Sequence, residues 1–151
     1  RQRHLTIPCE MCIRDRGGRS TARMARIEGG AAGSAGALRV EVELTEQGVG
    51  GQPAWAGVFF SPGATPMAAV DASPVSTLRL QVRSAAPLQL LLFSGEGAPA
   101  MVPIAASAEW QSVEIDLSTQ AGFDRSRLRG ISLSATGSGA QQFDIDEIEA
   151  R

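Results

Sequence analysis

Leu38, Val40, Val42 and Leu44 alternate with Arg39, Glu41 and Glu43, and this period of two constrains the fold more than any other feature of the chain. Successive side chains on a strand point to opposite faces, so the pattern describes a strand with one buried and one wet side. It recurs at Leu78-Arg79-Leu80-Gln81-Val82-Arg83, at Val113, Ile115 and Leu117 around Glu114 and Asp116, and at Ile131 and Leu133 around Ser132 and Ser134. Leu88 to Phe93 is more continuously apolar, which suits a strand covered on both faces or central in its sheet. Near the end Phe143 and Ile145 share a face and Ile148 breaks parity; a β-bulge around Asp146-Glu147 returns it inward.

Gly, Pro and Ser clusters separate these runs at Gly48 to Pro53, Ser61-Pro62-Gly63, Ser73-Pro74, Gly95 to Pro99 and Gly137 to Gly139. Leu117 to Leu128 has room for one helical turn at most. About eight or nine short strands divided by turns predict an all-β fold: an antiparallel β-sandwich or jelly roll. A length of 151 residues fits one such domain.

The chemistry available to that domain is thin. Lys, Asn and Tyr are absent, and His4, Cys9 and Cys12 are the chain's whole complement of His and Cys. Everything after Arg16 therefore lacks the usual general bases and nucleophiles apart from carboxylates and hydroxyls, so no catalytic residue is assigned. Fourteen carboxylates follow Arg16, and without geometry no pair of them marks a glycosidase. A net charge of −2 leaves no basic footprint for nucleic acid. No run of about 18 apolar residues exists to cross a membrane as a helix. All fourteen basic residues are Arg, and the bias against A/T-rich codons points to a GC-rich bacterial source. The compartment, periplasm or cytoplasm, stays open.

Residues 1–16 stand apart. Four Arg face only Glu10 and Asp15, no period is visible, and the composition changes at Gly17. Met11 to Arg16, MCIRDR, resembles a translated adapter scar, so the stretch is set aside as a non-native leader expected to be disordered. It carries Cys9-Glu10-Met11-Cys12, a C-x-x-C five residues after His4. A redox pair or half a zinc site is the sharp reading. The missing ligands and the missing βαβ setting weigh against both, and no metal or cofactor is assigned.

Several phrases of the body resemble one family in order. Gly17-Gly18-Arg19-Ser20-Thr21-Ala22, Gly33-Ser34-Ala35-Gly36-Ala37-Leu38, Trp55 to Gly63, Val70-Asp71-Ala72-Ser73, Leu80-Gln81-Val82-Arg83, Trp110 to Leu117 and Phe143 to Ile148 are similar to strands and turns of the complex I intermediate-associated protein family. Ala72 stands where that family favours Leu. The resemblance implies a galactose-binding-like β-sandwich over residues 17–151. In the form found at the C-terminus of bacterial amidohydrolases, it implies a non-catalytic accessory module that packs on a parent catalytic domain or another protein.

The alternative is a carbohydrate-binding module. Trp55 can stack on a sugar ring, or it can be a core or strand-start Trp. Arg79, Gln81 and Arg83 line one face of one strand, where two guanidinium forks can grip sugar hydroxyls or a carboxylate; equally, they can pair across strands with Glu41, Glu43 or Glu114. Trp55, Arg79, Gln81 and Arg83 are therefore the candidate ligand-binding residues. Trp110 shares a face with Ser112, Glu114 and Asp116 by alternation, or else folds under the sheet edge. Asp144, Asp146 and Glu147 form an acidic cluster that suits Ca²⁺ or simply a solvated face.

Overall fold

The computed structural model describes the backbone of residues 9–14, and residues 19–45 and 52–151 in full. His4, Gly17-Gly18 and the Gly48 to Gly51 turn lie outside the described residues.

Among the described residues, ten strands build two antiparallel sheets. They are β1 (Cys9–Arg14), β2 (Thr21–Glu28), β3 (Gly36–Leu44), β4 (Ala54–Ser61), β5 (Thr77–Ser84), β6 (Leu88–Ser94), β7 (Ala100–Ile104), β8 (Ser107–Asp116), β9 (Leu128–Gly137) and β10 (Gly139–Ala150). One sheet has the order β2-β3-β10-β5-β8 and the other β1-β4-β9-β6-β7. The chain repeatedly switches sheets, and every strand pairing among the described residues is antiparallel, as the alternating runs predicted. The Leu117 to Leu128 stretch is a loop with a single 3-10 turn at Arg125–Arg127.

The inward set follows parity. Val40, Val42 and Leu44 of β3, Leu78, Leu80 and Val82 of β5, and Phe143 and Ile145 of β10 meet Ala54, Ala56, Val58 and Phe60 of β4, Leu88, Leu90 and Leu92 of β6, and Ile131, Leu133 and Ala135 of β9. Each fully buried aliphatic or aromatic side chain contributes roughly 1.5–3 kcal/mol of transfer free energy, so this one shared core dominates stability. The expected bulge is present: β10 loses register against β5 between Asp146 and Glu149, and Glu147 adopts φ +48°. Ile148 accordingly packs against the core.

Two points differ from the sequence reading. Cys9–Arg14, expected to be disordered, runs antiparallel to β4 from Cys9↔Ser61 to Arg14↔Ala56. The physical reason is that β4 would otherwise be an edge whose unpaired N–H and C=O groups accept any extended segment within reach. In extended backbone, Cα atoms three positions apart lie about 10 Å from each other, beyond the roughly 7 Å that a disulfide spans. Cys9 and Cys12 are thus not placed to form one while β1 is formed. The second difference is β7, which carries Pro103 and pairs with β6 as the edge of its sheet, a position where the missing N–H costs no ladder bond.

Candidate functional site

The two outer faces differ sharply in charge. Strands β2, β3, β5, β8 and β10 contribute three, three, two, three and four charged residues. In the other sheet, β4, β6, β7 and β9 together contribute one, Arg129, and the edge strand β1 carries Glu10 and Arg14.

On the charged face several groups pair with one another, while the buried Arg79 Nε has no hydrogen-bond partner among the described residues. Asp144 is 3 % exposed and sits between two guanidiniums: Arg39 donates to it through Nε and Nη2 at 2.8 and 3.0 Å, and Arg83 through Nε at 2.7 Å. Burial pushes the Asp144 carboxyl up, but hydrogen bonds and charge from Arg39 and Arg83 outweigh it and hold the group below its ordinary value. Both carboxylate oxygens are therefore committed to arginine. Asp146 accepts from the backbone N–H groups of Ala31 and Glu147, each at 2.9 Å. The guanidinium carbon of Arg83 lies 4.7 Å from the Trp110 ring centroid. Trp110 thus stands within β8 on the outer face, half-buried beneath an arginine rather than folded under the edge. Arg79 stands between Glu149 on β10 and Glu114 on β8 by register, and its ion pair at 3.4 Å is with Glu149. Gln81 stands between Asp146 and Ser112.

The sandwich separates the predicted ligand residues. Ala54, Ala56 and Val58 face the core, so Trp55 points to the outside of β4, whereas Arg79, Gln81 and Arg83 point to the outside of the other sheet. The structure brings the last three together in one row and leaves Trp55 on the opposite surface. Parity within each strand was readable in the sequence; which sheet each strand joins was not.

The surface around Trp55 is built from uncharged side chains. Trp55 stands opposite Thr136, Gly57 opposite Ser134 and then Gln89, and Phe59 opposite Ser132 and then Leu91. Pro103 and Met101 of β7 continue these rows, and Met101 is 58 % exposed. Trp55, Thr136 and Gln89 are half-buried. Ser132 and Ser134 stand on this outer side yet are 0 and 2 % exposed, so larger neighbours lean over them. Neither hydroxyl has a hydrogen-bond partner among the described residues. Phe59 packs edge-on against Phe93, with centroids 5.6 Å apart and planes at 62°. Arg129 closes one end, its guanidinium donating to the carbonyls of Met67 (3.1 Å) and Gly95 (2.8 Å) and so tying two loops together. Sequence reasoning missed Thr136, Gln89, Ser132 and Ser134. The signal for them was the lack of charge in β4, β6, β7 and β9.

A shallow depression of about 610 Å³ on the charged face, lined by Thr21, Arg23, Glu41, Glu43, Ala140 and Gln142 among others, touches none of the predicted residues. Its Arg23 and Glu41 are already paired with each other.

No protein-family model matches the sequence, so the likeness to the complex I intermediate-associated family rests on the phrases quoted above. No curated protein matches the chain either. Solved structures do. The family 11 carbohydrate-binding module of a cellulosomal cellulase from Clostridium thermocellum superposes with a TM-score of 0.70 at 14 % identity, covering 93 % of this chain and 86 % of that one. The family 30 module of another cellulosomal cellulase of that organism gives 0.61 at 11 % identity, covering 93 and 97 %. A family 29 module, solved as a mutant in complex with mannohexaose, gives 0.55 at 12 % identity, covering 94 and 90 %. At these identities the likeness establishes the fold alone, an antiparallel β-sandwich.

Proposed function

We propose that this protein is a non-catalytic carbohydrate-binding module and that the uncharged face around Trp55 is where it binds. The observation that carries the reading is the segregation of charge across β4, β6 and β9: the half-exposed indole has hydroxyl and amide groups beside it, and there is no ion pair on this face among the described residues. A neutral sugar presents C–H groups on one side of its ring and hydroxyls around its rim. An indole supplies the apolar contact, and Thr136 and Gln89 supply uncharged donors and acceptors.

The opposite face is less suited to this role. Around Arg79, Gln81 and Arg83 the guanidiniums are held in ion pairs with Asp144 and Glu149, so a sugar there would compete with charge-assisted bonds to gain neutral ones. Arg79, Gln81 and Arg83 therefore serve the fold in this account, and Trp55 carries ligand. The structural likeness to carbohydrate-binding modules supports the reading. It supports equally the accessory, non-catalytic character inferred from the thin chemistry of the body.

The test is calorimetric titration of the full chain with soluble neutral glycans, repeated on Trp55→Ala. Binding should weaken at least about tenfold, which is 1.4 kcal/mol. The melting temperature should stay close to that of the parent. A large loss of stability with unchanged affinity would place Trp55 in a structural role instead.

A further inference from the structure

The seven aromatic residues of this chain are Trp55, Phe59, Phe60, Phe93, Trp110, Phe123 and Phe143. Phe60 and Phe143 are core, and Phe123 packs against the core. Trp110 lies on the charged face under Arg83. Phe59 is 3 % exposed and is held edge-on by Phe93, so its ring face is not open to a ligand. Phe93 stands opposite Gly130, whereas Trp55 stands opposite Thr136, six positions further along β9. At the rise of an antiparallel strand that separation is roughly 20 Å, which is several sugar units.

We infer that the site reads a single sugar ring or chain end at Trp55 rather than a run of consecutive sugars. The inference rests on the carbohydrate reading above and narrows it to one stacking platform. By register the polar side chains of this face gather at its Trp55 end, Thr136 directly opposite the indole and Gln89 across Ser134, two strands from β4. Beyond them the face continues as Leu91, Met101 and Pro103, which offer no ring to stack on and no side-chain hydrogen bonds. Each additional sugar would therefore extend over a surface that returns little.

The experiment is a length series on the full chain: β-1,4-linked mannose, glucose and galactose oligomers, each from disaccharide to hexasaccharide, titrated by calorimetry. The expected result is that the tightest-binding series gains no more than about threefold from disaccharide to hexasaccharide, the statistical advantage of six equivalent rings over two. Trp55→Ala should weaken every length by the same factor. A gain above about thirtyfold would show that several platforms act together, overturning this inference while leaving the carbohydrate reading intact. Absence of binding in all three series would overturn both.

Discussion

Arg83 joins two neighbouring strands through two different interactions: its Nε donates to Asp144 on β10 at 2.7 Å, and its guanidinium carbon lies 4.7 Å from the Trp110 ring centroid on β8. Arg39 on β3 completes the row by donating to the same carboxylate. A single line of side chains thus spans four adjacent strands of the charged sheet, β3, β10, β5 and β8. Cross-strand pairs are the units that fix register, and this row fixes it where β10 is about to bulge.

Removing the centre of that row should cost more than removing either arm. Asp144→Ala leaves two cations facing a buried gap and is expected to lose about 2–3 kcal/mol, less than a fully buried triad because Arg39 and Arg83 are about one-third exposed. Arg39→Met and Arg83→Met should each cost about 1 kcal/mol. Urea unfolding of the three variants checks the ranking.

The same carboxylate sets an acid limit. Its folded-state value is depressed below the unfolded value of about 3.9, so its ionised form stabilises the fold above that pH. This contribution is lost as pH falls from there through the folded-state value. Asp71, Asp116 and Asp124, each held low by a serine hydroxyl and backbone N–H two residues on, shift in the same direction. The urea midpoint should therefore stay flat from about pH 5 upward and drop below about pH 4. Asp144→Asn should start lower and show a shallower drop, with the three exposed aspartates keeping the slope from vanishing.

Phe59 owes its place to a missing side chain. A Cβ at Gly130 would stand 2.0 Å from Phe59 Cζ, so Gly130→Ala must expel the ring from its contact with Phe93. The expected cost is about 1–3 kcal/mol, as for other overpacked sites. Phe59→Leu in the same chain should recover part of it, and a double-mutant cycle by thermal unfolding reads the coupling.

Alternation made the inward set of β3, β5 and β10 readable in the sequence, and the parity break at Ile148 located the bulge. What remained hidden was pairing across distance. Nothing local says that β4 and β5, consecutive in sequence, belong to different sheets, and that choice separates Trp55 from Arg79, Gln81 and Arg83. β7 escaped notice because Pro103 reads as a breaker, whereas at an edge it is tolerated. β1 escaped because its sequence has no alternation, although its backbone pairs with β4. The scarcity of charge in β4, β6, β7 and β9 is a matter of composition along the chain, and only their assembly into one sheet turns it into a surface.

The two tryptophans stand on opposite faces, and their indole N–H groups give two signals in a ¹⁵N-correlated NMR spectrum, assigned with Trp55→Phe and Trp110→Phe. Titrating the full chain with mannohexaose and its glucose and galactose counterparts follows both faces at once. The account predicts that the Trp55 indole signal moves on saturation, together with the side-chain amide of Gln89, while the Trp110 signal holds still. Movement of Trp110 with Trp55 unchanged would put the ligand on the charged face and contradict it.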